Sequence, residues 1–234
     1  MHAHLGKTVM VTGAAGHLGQ AVARHFSSLG AGLVLVDRNR QALEAVCPAH
    51  ASVMLADINL LHQDEVSQCV EQAVGRFGRI DVLCNLAGGF RMGEAVHETS
   101  DANWNFLHDI NARTLLHMAR AVVPVMLKQG GGKIVNVAAY AGLRGVAQMG
   151  AYTASKSTVM RMTEAMSAEL KEQGINVNCV LPSILDTPEN RAAMPKADPA
   201  RWVAPQALAE VIAFLASDAA RAIHGAALPV TGLS

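Results

Sequence analysis

The chain has 234 residues, 51% of them hydrophobic and 16% charged, with nineteen Lys and Arg against nineteen Asp and Glu. That balance supplies core for one α/β domain over residues 1–234 and excludes disorder. It offers no basic surface for nucleic acid, no signal peptide and no apolar run long enough to span a membrane.

In chain order, His2 and His4 come first. They could hold a metal, but no Cys, His or carboxylate cluster accompanies them, so no metal site is expected and they read as a frayed end. Residues 8–12 are a short apolar strand that runs into Gly13, Gly16 and Gly19 and a helix at 18–29. Glycines there let the backbone approach a pyrophosphate, and the helix N-terminus offers free N–H groups and partial positive charge. A second strand, 33–37, ends in Asp37, roughly twenty residues after the glycines, where a carboxylate can bind the adenosine ribose. Such a carboxylate repels a 2′-phosphate and favours NAD(H) over NADP(H). Arg38 beside it works the other way, because arginine accommodates phosphate. The plainer reading of Asp37 is a turn residue.

Further strands are expected at 51–56, 82–85, 133–137, 176–181 and 227–230, and helices at 63–77, 104–128, 153–172 and 205–216. Gly130, Gly131 and Gly132 end the long helix. The alternation predicts one doubly wound parallel sheet with helices on both faces, a Rossmann fold, and the strands are apolar nearly throughout, as burial on both faces requires. Residues 183–204 hold three prolines and no clean periodicity; they read as a substrate loop past a strand's C-terminal end. Cys47, Cys69, Cys84 and Cys179 are far apart and read as reduced, mostly buried thiols of a cytoplasmic protein. Met160, Met162 and Met166 read as core or interface filler.

Tyr152 and Lys156 are four apart and share a helix face. A phenol exchanges protons poorly at neutral pH, and a nearby ammonium is expected to lower its pKa and poise it as an acid or base. Tyr140 and Arg144 share the spacing but follow a strand in a Gly-rich segment and read as loop residues.

The ordered set TGAAGHLG at 12–19, Asp37, Asp57-Ile58, Asn85-Leu-Ala-Gly88, Asn111 and Tyr152…Lys156 resembles the short-chain dehydrogenase/reductase superfamily along essentially the whole chain. The resemblance implies that Gly13, Gly16, His17, Leu18 and Gly19 form the nucleotide turn and that Asp57 and Ile58 flank the adenine. It implies that Asn85, Ala87 and Gly88 line the cofactor and that Pro182, Ile184 and Thr187 surround the carboxamide. Tyr152 would be the proton donor, Lys156 would tune it and bind the ribose, and Asn111 would support a relay water. The helices at 104–128 and 153–172 resemble the family's dimer faces and imply a homodimer or homotetramer.

Three departures stand out. His17 occupies the family's usual middle-glycine position, Ser183 follows Pro182 where glycine is commoner, and Ala139 stands thirteen residues before the tyrosine, where the family keeps a catalytic serine. Residues 185–191 (LDTPENR), with Met194-Pro195, Ala197-Asp198, Trp202 and AGGF at 87–90, resemble the branch of dihydropteridine reductase, which also lacks the serine. The expectation is a hydride-transferring oxidoreductase acting on a small molecule. The alternatives are a generic carbonyl or 3-oxoacyl reductase and a non-catalytic NAD-binding protein.

Overall fold

The computed structural model of the chain describes residues 4–234. Seven parallel strands form one sheet: β1 (Thr8–Thr12), β2 (Gly32–Asp37), β3 (Val53–Asp57), β4 (Val82–Asn85), β5 (Gly132–Val137), β6 (Ile175–Pro182) and β7 (Ala227–Val230), in the order β3-β2-β1-β4-β5-β6-β7. Among the described residues eight α-helices accompany it: α1 (His17–Ser28), α2 (Arg40–Val46), α3 (Gln63–Phe77), α4 (Asp101–His108), α5 (Thr114–Gln129), α6 (Gly150–Leu170), α7 (Pro188–Ala193) and α8 (Pro205–Leu215).

Successive strand residues face opposite layers. Val9, Val11, Leu33 and Leu35 pack with Phe26 of α1, Leu43 of α2 and Ile212 of α8. Met10, Val34 and Val36 pack on the other side with Val66 and Val70 of α3 and Met118, Val122 and Met126 of α5. This two-sided burial is why the strands read as unbroken apolar runs. Ala138, Met160, Cys179 and Leu181 form a smaller cluster beneath α6, with Met162 and Met166 packed against it.

Several sequence expectations change. The helix at 104–128 is not uniform: α4 starts at Asp101 behind the Ser100 cap and reaches α5 through a widened, π-helical turn at Asp109–Arg113. Helix α2 is short and carries one buried residue, Leu43, so its periodicity is invisible. Within 183–204 lies α7, started by the Thr187 cap and Pro188 at its first turn. His4 is not frayed: it is 2% exposed, packs edge-on against Phe26 and lies 3.3 Å from Ala213 O. His2 lies outside the described residues. Tyr140 sits in a 3-10 turn, as a loop residue would. Cys69, Cys84 and Cys179 are buried, Cys47 is half-buried, and all four are free thiols. Among the described residues no helix is long and apolar enough to cross a membrane.

The first helix is held by glycine. A Cβ on Gly19 would lie 2.2 Å from Gly13 O and 2.6 Å from Ala14 Cα, whereas one on Gly75 of α3 meets nothing within 4 Å. Gly19→Ala is therefore expected to cost at least the ~1–3 kcal/mol of an overpacked core, while Gly75→Ala gains about 0.5–1 kcal/mol from helix propensity. Urea denaturation of both variants checks the contrast.

Candidate active site

Strands β1 and β4 are neighbours in register, with Thr12 opposite Asn85, and their connections run off in opposite directions across the sheet. This is the topological switch point, where doubly wound sheets open a crevice. Gly13 leaves β1 with φ +64°, and a Cβ there would come 2.9 Å from Ala87 N, so glycine is required on two counts. The Thr12 hydroxyl accepts from Leu86 N at 3.1 Å and Ala87 N at 3.2 Å, tying the two turns together. Gly16 differs from its neighbours: its Cβ would meet only Gly13 O, at 3.4 Å. The space beside it stays open to a ligand. No side chain caps α1, so the first amides of the helix, at His17 and Leu18, face that space without intrahelical partners. The Leu18 side chain is buried in the core, which leaves only its backbone for a nucleotide. The cradle fits a pyrophosphate by shape and by partial charge.

At the next strand ends, Asp37 accepts from Ala15 N at 3.0 Å and Arg38 N at 2.7 Å, which fixes its carboxylate beside the glycine turn. Arg38 is exposed. Asp57 pairs across the sheet with Asp37, and its carboxylate takes Arg40 Nη1 at 3.2 Å. Arg40 also binds Glu44 at 2.9 Å, so two carboxylates occupy the neighbouring guanidinium. Ile58 N donates to Asp37 O at 3.0 Å and its half-buried side chain adjoins the α3 core.

The polar end of the site is a network between β4, the widened turn and α6. Asn111 clamps Gly89, accepting from its N–H and donating to its carbonyl, each at 3.0 Å, and donates to Ser155 Oγ at 3.0 Å. Ser155 in turn donates to Tyr152 O at 2.8 Å. A Cβ on Gly88 would lie 2.9 Å from Asn111 Oδ1 and 3.2 Å from Lys156 Nζ, so the two side chains converge on that glycine. Lys156 is 6% exposed and donates to Val137 O at 3.0 Å. Burial lowers its pKa to about 8. Asn85 donates to Asn136 Oδ1 at 2.9 Å, and its own Oδ1 is buried with no partner in the protein, an open acceptor at the end of β4.

The phenol departs from expectation. Burial raises the Tyr152 pKa to about 12 rather than lowering it, because the buried phenolate loses its hydration. Tyr152 is thus a neutral phenol at physiological pH, suited to giving a proton. Phe90 stands edge-on to it, ring centroids 4.8 Å apart. Beside it Gln148 has φ +61°, a left-handed conformation uncommon for this residue type, and its carbonyl accepts from Gly93 N at 2.8 Å, pinning the two loops that border the tyrosine.

Ala139 is 5% exposed and brings only a methyl group, while its carbonyl accepts from Gly142 N at 2.9 Å. The Ser155 hydroxyl cannot replace the absent serine, since Asn111 and Tyr152 O engage it. Pro182 ends β6, Ile184 O accepts from Val203 N at 2.9 Å, and the Thr187 hydroxyl accepts from Asn190 N at 3.3 Å. The roles of Thr12, Phe90, Arg40 and Ser155 escape a reading of the sequence, since each depends on a partner far along the chain or on an adjacent helical turn. A cavity of about 220 Å³ lies elsewhere, lined by Lys7, Arg79, Asp81 and Lys133 near the opposite strand ends. Its charges are largely spent on one another, with Arg79 and Lys7 on Asp81, and it holds none of these groups.

Comparison with known proteins agrees with this geometry. Residues 7–198 match the family described as short chain dehydrogenase. The chain is 32% identical over 239 residues to the 3-oxoacyl-(acyl-carrier-protein) reductase FabG of Thermotoga maritima, covering 97% of each chain. It is 33% identical over 243 residues to D-threitol dehydrogenase of Mycolicibacterium smegmatis, covering 97% of this chain and 92% of that one. Among solved structures it resembles a putative short-chain dehydrogenase/reductase from Burkholderia xenovorans (TM-score 0.91, 31% identity, 98% and 96% of the two chains). It also resembles carveol dehydrogenase from Mycobacterium avium in complex with NAD (TM-score 0.89, 25% identity, 97% of each chain). Matched end to end in fold and over most of its length in sequence, the chain belongs to the short-chain dehydrogenase/reductase superfamily and is an oxidoreductase that uses a nicotinamide cofactor.

Proposed function

We propose that the chain is an NAD(H)-dependent reductase of a small organic substrate that needs a hydride and a proton but no clamp on a carbonyl oxygen, as a quinonoid dihydropterin does. The observation that carries this reading is the pairing of a complete proton-donating end, Tyr152, Lys156 and Asn111, with a bare methyl at Ala139. The bound nicotinamide supplies the hydride. Gly13, Gly16, Gly19 and the amides at His17 and Leu18 would take the pyrophosphate, and Asp37 the adenosine ribose. Asp57 and Ile58 would flank the adenine, Asn85, Ala87 and Gly88 would line the cofactor, and Pro182, Ile184 and Thr187 would meet the carboxamide. Tyr152 gives its proton to the substrate, and Lys156 stabilises the phenolate that forms and holds the second ribose. The Asn111 side chain is fully engaged, so a relay water would rest on its main-chain carbonyl in the widened turn. This assembled network argues for turnover rather than passive NAD binding.

A second reading, a carbonyl or 3-oxoacyl reductase, is favoured by the names of the relatives above. The two readings part at Ala139. The chain is further proposed to be cytoplasmic, given its four free cysteines, and to form a homodimer or homotetramer through the faces of α4, α5 and α6. Trp104 and Phe106 of α4 are 46% and 36% exposed, as an uncovered interface would be.

NADH is expected to bind about tenfold or more tighter than NADPH, because Asp37 opposes a 2′-phosphate and Arg40 is already neutralised. Asp37→Ser should narrow the gap, as fluorescence titration of both nucleotides will show.

Tyr152→Phe is expected to cost about 10²–10⁴ in kcat with NADH affinity nearly unchanged. For Lys156, the lowered pKa means that the unfolded chain holds that proton more tightly between about 8 and 10.5, so its contribution to stability rises with pH through that window. Lys156→Met should abolish turnover and weaken NADH binding. It should also raise Tm at pH 7 by about 2–4 °C, the scale of one kcal/mol in a domain of this size. In the unmodified enzyme kcat/KM for reduction should fall above about pH 8, as the ammonium titrates.

Ala139→Ser separates the two readings. For a substrate with no oxygen to clamp, it should leave pterin turnover little changed. For a ketone reductase that lacks its serine, it should raise activity across ketones by about 10²-fold. The assay is kcat/KM of both proteins on quinonoid dihydropterin, simple ketones and 3-oxoacyl thioesters. Broad gain with no pterin turnover in either protein would establish the second reading.

A further inference from the structure

His17 Nε2 and Glu189 Oε1 are 3.0 Å apart although 172 residues separate them in the chain. His17 opens α1 next to Gly16, and Glu189 lies in the first turn of α7, two residues after Thr187. Among the described residues this is the one side-chain hydrogen bond that joins segment 183–204 to the glycine turn. We propose that the pair is a latch: it holds the substrate segment against the nucleotide turn, and its opening sets how fast the cofactor leaves. The proposal rests on the reading that the amides of α1 receive the pyrophosphate.

Three observations shape it. The segment is tied together internally and anchored at its end by the buried Trp202 and Val203, so that it holds its shape. Arg191 grips Asp186 through two nitrogens at 2.6 and 2.8 Å, Asn190 donates to Leu185 O at 2.8 Å, and Asp186 N donates to Val203 O at 2.9 Å. Its base is fastened too, by Ser183 Oγ donating to Thr231 O at 2.9 Å. Glu189 is the residue by which this preformed flap reaches α1. Secondly, the carboxylate takes the imidazole and not the helix amides, so it spans the cradle rather than plugging it. Glycine at 17, commoner in the family by resemblance, could not make the contact. Thirdly, the two side chains are 43% and 70% exposed. An exposed pair is weak and opens readily, which suits a reversible catch and keeps the expected effect small.

The test has two arms on the full chain. Stopped-flow displacement of NADH measures its off-rate in the unmodified protein, His17→Ala, Glu189→Ala and the double variant. Each single change should raise the off-rate about 2- to 5-fold, the range of an exposed polar contact, and the double variant should exceed neither. Trypsin cleavage after Arg191 and Lys196, without nucleotide, should quicken equally in all three variants. Additive off-rates, an effect of His17→Ala that Glu189→Ala lacks, or unchanged cleavage would overturn the latch. The nucleotide-free arm decides whether the pair holds the segment closed; failure of NADH to bind would refute the proposed cofactor and, with it, the effect on cofactor release.

Discussion

Everything in this molecule is arranged around one close crossing. Where β1 and β4 end side by side, the chain turns back on itself with only glycine clearance: Gly13 against the Ala87 backbone, and Gly19 against Gly13 O and Ala14. The crossing brings the Thr12 hydroxyl onto two backbone amides of the β4 turn. It lets α1 start close enough to the sheet for its first amides to face the crevice. A methyl group at Gly13 would drive the two turns apart, and one at Gly19 would push α1 from the end of β1. Two-sided burial of the parallel sheet makes this rigid, since the strands cannot shift without disturbing both cores.

The second constraint is a charge kept where charge is costly. Lys156 is enclosed with one carbonyl partner, Val137 O, and its proton is held loosely as a result. Tyr152 pays the matching penalty as a phenolate. In the protein alone each group is pushed toward its neutral form, so Tyr152 stays a phenol and Lys156 titrates with a pKa lowered to about 8. The widened turn at Asp109–Arg113 supports the pair from the other side. It brings Asn111 against Gly89 and Ser155 at once, two contacts made by a residue at a break in helical register. Most of these polar groups are satisfied by one another, Asn85 Oδ1 excepted, and the side chains of Asn111 and Lys156 close on Gly88, whereas space is left beside Gly16.

The relation between the two halves of the site lies in segment 183–204. It is a fastened flap with a cap at Thr187, a bidentate ion pair at its base and one exposed contact to α1. Its strength is graded: firm where it holds its own shape, weak where it touches the nucleotide turn.

Local pattern was enough for much of this. The strands at 8–12, 82–85 and 227–230 and the helix at 63–77 are where the periodicity put them, because burial writes a repeat of two or 3.6 into each run. Gly13, Asp37, Tyr152 and Lys156 could be named because each sits at a boundary that pattern marks: a strand end, a glycine turn or a helix face. What the sequence could not carry was anything set by a partner distant in the chain. Helices α2 and α7 are too short to show a period. The widened turn at Asn111 is a matter of register between α4, α5 and α6, not of composition. His4 is docked rather than frayed because Phe26 and Ala213 happen to receive it. The upward shift of the phenol was hidden for the same reason: spacing places a lysine one turn on, but only the packed fold decides how much water the phenol loses, and that desolvation raises its pKa.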